Sequence, residues 1–155
     1  MRWIFAAAEF IRSFRRQLRF GERSRLPLKL VRLELRDGYG ECEWIARRND
    51  PWDADVAPVV REQNQTWQAL RDALSVREVL FASIPQLQVA MLKVYRHREM
   101  GEPELIIAGT VNREDNPPRV SSLPMAAQLY GFQFFLEDGA LRPLGSRRAL
   151  RFATE

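Results

Sequence analysis

The hydrophobic and polar positions of the chain change period several times, and each period predicts a type of element. Between Trp3 and Phe20, large apolar residues recur at helical spacing, and arginines occupy most of the remaining arc. Gly21 is a suitable helix stop, and the polar stretch 21–27 is suited to a linker. The pattern predicts a basic amphipathic helix over residues 1–20, followed by a linker.

Alternation with a period of two begins directly after this linker. Residues Leu28 to Arg36 alternate as a half-buried strand requires, Asp37-Gly38 supplies a turn, and residues 41–46 alternate again. Two strands separated by such a turn are typical of a hairpin.

Asn49-Asp50-Pro51 ends this alternation, and a helix is predicted shortly after it. Asp53 or Asp55 can cap a helix from about Ala57 to Leu74. Pro58 is compatible with this helix because proline is tolerated in a first turn. Its expected inward face comprises Val59, Val60, Gln63, Trp67, Leu70 and Leu74. The stretch 77–83 fits neither period clearly.

The remainder of the chain predicts two further hairpins and a short helix. Strands over 87–96 and 104–112 are joined by a turn at 97–103. Ser122 and Gly131 bracket a short helix, and Asp138-Gly139 supplies the turn of the last hairpin.

Because hairpins pair antiparallel, this order predicts an α+β fold. We expect an antiparallel sheet built from three hairpins, two helices packed on one face, and the N-terminal basic amphipathic helix. Residues 28–145 should form a single domain, and 146–155 a basic C-terminal tail.

Composition supports a folded chain and locates its charge. With 155 residues, 46% hydrophobic and 28% charged, the chain is a typical globular mixture that can bury a sizeable core. The formal net charge is +4, but residues 1–36 contain ten basic residues against three acidic ones. The positive charge therefore belongs to the N-terminal quarter.

Several classes of chemistry are excluded or weakened by residue counts. With Cys42 and His97 as the only residues of their types, neither an intrachain disulfide nor a four-ligand Cys/His zinc site can form. The chain contains no long apolar run, no secretory pattern and no glycine-rich phosphate loop. We expect no cofactor and a cytoplasmic location, with a position peripheral to the inner face of a membrane as an alternative.

Individual candidate groups have simple structural explanations. His97 lies in a charged turn with no nucleophile-elbow motif to pair with it, and Cys42 alternates toward the face of Trp44 as a small buried residue does. Asp50, Asp53 and Asp55 could attract a hard cation, but a helix cap and a turn explain them more simply and the EF-hand pattern is absent. We therefore predict no catalytic residue and no metal site.

The N-terminal helix remains, and three roles are open to it. Its apolar face can pack as core, which is the commonest fate of such a helix, lie in a membrane interface, or dock into a partner. The residues that would contact a partner or membrane are Trp3, Phe10, Ile11 and Phe14, with Arg12, Arg15, Arg16 and Arg19.

The favoured hypothesis is a non-catalytic accessory or adaptor subunit that joins a protein partner or larger assembly, or a membrane surface, through this segment. One alternative is a small-ligand-binding or carboxylate-dependent enzyme domain, since carboxylate chemistry needs no histidine. A second is non-specific nucleic-acid binding through the arginine-rich termini, which include Arg147, Arg148 and Arg151. Homo-oligomerisation is compatible with all three.

Overall fold

The computed structural model describes residues 2–144, with side chains from residue 4 onward. The predicted tail at 146–155 and the side chain of Trp3 lie outside the described residues. The elements in chain order are α1 (Arg2–Gln17), β1 (Lys29–Arg36), β2 (Tyr39–Ile45), α2 (Pro58–Ser83), β3 (Val89–Arg96), β4 (Glu104–Asn112), α3 (Leu123–Leu129), β5 (Phe132–Gln133), β6 (Phe135–Glu137) and β7 (Ala140–Arg142).

The predicted α+β class is confirmed. Strands β1 to β5 form one sheet in that order, and β6 pairs with β7 in a separate ribbon. Each neighbouring pair is antiparallel except β2 and β3, which are parallel. The predicted all-antiparallel sheet is therefore a mixed one, because β2 and β3 are joined by the α2 crossover and not by a turn.

One face of this sheet carries the core. The row that runs through Leu33, Cys42 and Leu92 points toward the helices, and Cys42 and Leu92 are fully buried. The next row, through Arg32, Glu43 and Lys93, points to the opposite side. We call this second side the open face.

Strand β1 keeps its side-chain pattern by means of a bulge. The register shifts between Leu30 and Arg32, so Val31 has no partner residue and is exposed. Leu30 and Leu33 then lie on the same side although three positions separate them. A bulge of this kind inserts one residue into one strand of a pair, and alternation alone did not reveal it.

Helix α2 is longer than predicted, and its inward face lies further along the chain. Its N-cap is Ala57 without a side-chain bond, so neither Asp53 nor Asp55 caps it; both belong to a short 3-10 helix at Pro51–Asp55. All of its buried residues follow Gln65, whereas Val59, Val60 and Gln63 are exposed. The first two turns of α2 therefore extend beyond the core, which reaches only its later turns.

The last described elements form the β6–β7 ribbon, which lies beside α2. Asp138 and Gly139 both have positive φ, at 54° and 78°, as a tight two-residue turn requires. Leu141 of β7 is buried, and the Leu144 N–H donates to the carbonyl of Leu105 at 2.7 Å. Strand β7 is thus packed on the body, and β6 forms the outer strand of the ribbon.

Candidate partner-binding surface

Helix α1 has one side in the core and one side in solvent. Phe10, Phe14 and Leu18 recur every four residues and are buried against the body. Their rings and methyl groups occupy one arc of the helix, since side chains four positions apart share a face. The opposite arc is free for other contacts.

The exposed arc combines apolar and basic residues. Ile4 is 69% and Phe5 70% exposed in the first turns, and Arg12, Arg15, Arg16 and Arg19 follow on the same side. Ile4 lies about three helical turns before Arg15, and Phe5 lies about three turns before Arg16. Ile4 and Arg15 therefore share one line along the helix surface, and Phe5 and Arg16 share another. We call Ile4, Phe5, Arg12 and Arg16 the outer arc.

The charge of this surface is only partly neutralised by the chain itself. Arg12 donates to Glu9 at 2.9 Å, an exposed pair of small energetic value. Within residues 2–144, Arg15, Arg16 and Arg19 form no ion pair, and the Arg19 guanidinium lies 5.2 Å from the ring centre of the exposed Phe20. The C-terminal half of α1 therefore presents cationic groups that are open to a ligand.

These positions change which of the predicted contact residues can meet a partner. Phe10 and Phe14 belong to the core, and Ile11 is half-buried. Their burial agrees with the core-packing alternative for that side of α1. Ile4 and Phe5 were missed, although their spacing from the arginines would have placed them on the exposed arc.

A buried arginine fixes the end of α1 to the body. The Arg47 guanidinium donates to the carbonyl of Leu18 at 2.6 Å and of Leu26 at 2.8 Å, and to the Asp72 carboxylate at 2.9 Å. The side chains of Arg47 and Asp72 are nearly inaccessible to solvent. Arg47 therefore supplies a donor to the carbonyl of Leu18, which directly follows α1 and has no intrahelical donor, and it ties this end to the linker through Leu26.

The partner carboxylate of Arg47 is held by two donors. The amide of Gln68 donates to Asp72 at 3.0 Å. Burial raises the pKa of Asp72 above its ordinary value, while the bonds from Arg47 and Gln68 act in the opposite direction. The same Gln68 accepts from the Arg23 N–H at 2.5 Å, so one polar cluster connects α1, the linker and α2.

In the acidic turn, which was weighed above as a cation site and not predicted to be one, Asp50 holds the backbone of the linker. One Asp50 oxygen accepts from the Arg25 N–H at 3.1 Å, and the Ser24 hydroxyl donates to the carbonyl of Arg48 at 2.7 Å. These bonds hold the linker against the end of β2. Within residues 2–144, no group of three or more His, Cys, Asp or Glu side chains is arranged to hold a metal ion.

A groove opens between the end of α1 and the start of β1. Its volume is about 350 Å³, and its wall on α1 is formed by Phe14, Arg15, Leu18 and Arg19. Pro27 and Leu28 form the opposite wall. The apolar floor and the two guanidinium groups beside it could accept an apolar side chain with neighbouring carboxylates. We call this cavity the α1 groove.

A second, polar crevice lies where the parallel strands β2 and β3 end. It encloses about 230 Å³ and is lined by Ala46, Arg47, Arg48, Asn49, Gln65, His97 and Glu99. His97 and Glu99 are exposed. The lining contains an imidazole and a carboxylate but no hydroxyl or thiol nucleophile, so the geometry offers no pair for nucleophilic catalysis.

The remaining reactive groups are either buried or paired. Burial raises the pKa of the Cys42 thiol to about 12, which keeps it protonated and unreactive at neutral pH. On the open face, Arg32 contacts Glu34, Glu41 and Glu43, and the Tyr95 hydroxyl donates to Glu43 at 2.8 Å. Burial, together with this carboxylate, raises the pKa of Tyr95 to about 12. The charges of the open face are thus largely satisfied among themselves.

Comparison with other proteins adds no family assignment. The chain matches no protein-family model, and neither a curated protein nor a solved structure is significantly similar to it. Among the helices of residues 2–144, none has the length and apolar character needed to cross a bilayer. The basis for a functional proposal is therefore the geometry of the molecule itself.

Proposed function

We propose that this protein is a non-catalytic adaptor subunit that binds an acidic surface of a protein partner through the exposed side of α1. The observation that carries the proposal is the presence of exposed Ile4 and Phe5 on the same arc as Arg12 and Arg16, of which Arg16 forms no ion pair within residues 4–144 and Arg12 has only the exposed pair with Glu9. A helix whose opposite side is fixed in the core presents these groups in one orientation.

The chemistry of the outer arc is that of an interface centre. Aromatic residues and arginine are enriched at the centres of protein interfaces, where they contribute most of the binding free energy. The guanidinium group matches the geometry of a carboxylate, which favours Asp and Glu on the partner. The charge of α1 would also accelerate encounter with an acidic surface.

The fixed position of α1 lowers the entropic cost of binding. Phe10 and Phe14 hold one side of the helix in the core, and Arg47 donates to the carbonyl of Leu18 directly after it. A partner therefore does not have to order this segment when it binds, and an interface that is ordered in advance retains more of its contact free energy.

A protein partner agrees with this arrangement better than a membrane. A helix that lies in a membrane interface inserts a continuous apolar face along its length. In α1 that face is occupied by core contacts through Phe10, Phe14 and Leu18, which leaves Ile4 and Phe5 at one end. Among the α1 residues whose side chains the structure describes, these two large apolar residues form a patch that suits a pocket on a protein better than a continuous lipid-inserting face.

The test compares capture of partners by wild-type protein and by outer-arc variants. One variant carries Ile4→Ser and Phe5→Ser, and another carries Arg12→Glu and Arg16→Glu. Since all four side chains are exposed, both variants should retain the wild-type circular dichroism spectrum. A partner captured from the native host and then purified should bind each variant at least about tenfold more weakly.

A matched control excludes general surface effects. Trp52→Ser removes an exposed aromatic residue from a different part of the surface and should leave partner affinity unchanged. If both outer-arc variants bind the purified partner as the wild type does, the proposal is wrong. The proposal is also wrong if the wild type binds anionic lipid vesicles but no protein partner, and the outer-arc variants lose this vesicle binding. That result would favour membrane attachment.

A further inference from the structure

The β6–β7 ribbon presents an apolar and acidic sequence at the surface of the molecule. Phe135 is 48% and Leu136 41% exposed, and the exposed Glu137 and Asp138 follow directly. Glu137 forms an ion pair with Arg142 of β7 at 3.7 Å, but both side chains are exposed, so the pair is weak and its carboxylate can exchange partners. Neighbouring strand residues point to opposite sides, so the exposure of both Phe135 and Leu136 means that β6 is largely uncovered on both sides. A polar strand would be expected at such a place.

The α1 groove has the complementary composition. Phe14, Leu18, Pro27 and Leu28 provide apolar walls, and Arg15 and Arg19 are exposed beside them. The volume of about 350 Å³ corresponds to roughly a dozen water molecules, enough for a large apolar side chain. Residues of the ribbon are not among those that line the groove within their own copy.

We propose that the α1 groove of one copy binds the segment Phe135–Asp138 of a second copy. Phe135 would enter between Leu18 and Pro27, and Glu137 and Asp138 would meet the two arginines. This self-association goes beyond the partner binding proposed for the outer arc and uses different residues of α1.

The ribbon is suited to this role because its conformation is fixed in its own copy. The turn at Asp138 and Gly139 is tight, and a side-chain carbon placed on Gly139 would lie 3.1 Å from Cγ of Gln63 on α2. Strand β7 is anchored through the buried Leu141. The exposed side chains of β6 are therefore presented in one arrangement, which reduces the ordering cost of association.

The two surfaces differ, so the symmetry of the association decides its size. Two copies related by a two-fold axis would each place the ribbon in the groove of the other and close as a dimer, whereas any other rotation leads to a ring or an open chain of copies. In either case the average mass of the wild-type protein should rise with concentration above that of the monomer.

The experiment uses two variants that are each defective in one surface. The groove variant carries Arg15→Glu and Arg19→Glu, and the ribbon variant carries Phe135→Ser and Glu137→Arg. Asp138 is kept because its positive φ belongs to the turn. Masses are measured by sedimentation velocity on the full chain, from micromolar to near-millimolar concentration, after circular dichroism has confirmed folding.

Each variant alone should remain monomeric, and an equal mixture should form dimers and nothing larger. In that mixture the intact ribbon of the groove variant meets the intact groove of the ribbon variant, and no further site is available. The proposal is overturned if the wild type stays monomeric throughout, if either variant associates as the wild type does, or if the mixture forms no dimer. Because Ile4, Phe5, Arg12 and Arg16 are untouched, partner binding through the outer arc can be scored separately.

Discussion

At the scale of single residues, several arginines act as internal clamps on the backbone. Arg47 reaches the carbonyls of Leu18 and Leu26. Arg113 donates to the carbonyls of Phe81, Ile84 and Leu87 at 2.7 to 2.8 Å and thereby closes the end of α2, and Arg77 reaches the carbonyl of Asn112. A guanidinium group with five donors can bond several carbonyls at once, which lysine cannot do in the same geometry.

The best buried of these clamps gives the first prediction. Replacing Arg47 with Met should lower the free energy of unfolding by about 3–5 kcal/mol, because the buried Asp72 carboxylate loses its charged donor and the carbonyls of Leu18 and Leu26 lose theirs. Urea unfolding followed by circular dichroism measures the change. The matched control Arg48→Met alters an exposed neighbour and should change stability by less than about 0.5 kcal/mol. If the two substitutions lower the free energy of unfolding equally, the buried bonds of Arg47 do not stabilise the fold as proposed.

The sequence could not assign these arginines individually. Arg47 and Arg48 are adjacent and chemically identical, yet one is buried and the other exposed. The difference arises because the partners of Arg47 are backbone carbonyls and a carboxylate that lie more than twenty positions away along the chain. Composition shows an excess of arginine but not which ones enter the core.

At the scale of elements, the edge of the sheet depends on a close approach between glycines. Gly109 on β4 pairs with Phe132 on β5, directly after Gly131, whose φ of 101° is strained for other residues. A side-chain carbon on Gly109 would lie 2.9 Å from Cα of Phe132 and would also overlap the carbonyl oxygen of Gly131. The short strand β5 can pair with β4 only because no side chain stands there.

This contact gives the second prediction. Gly109→Ala should destabilise the fold by about 1–3 kcal/mol, since overpacking against backbone forces the strands apart. Hydrogen exchange should show reduced protection in β5 and in the following ribbon. Thr110→Ala, on the exposed side of the same strand, is the control and should leave that protection unchanged. Unaltered protection in the Gly109 variant would contradict the predicted contact.

At the scale of the whole molecule, α1 belongs to the core of the body. Deletion of residues 1–20 would remove Phe10, Phe14 and Leu18 and expose the apolar surface that they cover. Loss of binding after such a deletion could therefore reflect unfolding. The exposed substitutions proposed above avoid this difficulty because they leave the buried side of α1 unchanged.

The third prediction tests this integration with two phenylalanines of one helix. Phe10→Ala should cost about 3–5 kcal/mol, since Phe10 is 0% exposed. Phe5→Ala, at 70% exposure, should change stability by no more than about 0.5 kcal/mol. In both variants, the far-ultraviolet circular dichroism of the helices and the near-ultraviolet signal of the tertiary structure should be lost in the same unfolding transition, as expected for one cooperative unit. A separate early transition of helical signal would indicate that α1 is not integrated.

The sequence by itself determined most of the element types, the hairpin turns, and the absence of an intrachain disulfide and of a four-ligand Cys/His zinc site within one chain. Period and turn residues are local properties, so the hairpins at Asp37-Gly38 and Asp138-Gly139 could be predicted directly. Only the tertiary structure decided that β2 and β3 are parallel, that the first turns of α2 lie outside the core, and which side of α1 faces solvent. Those features depend on contacts between distant segments, and an amphipathic period specifies that a helix has two sides without specifying what covers each one.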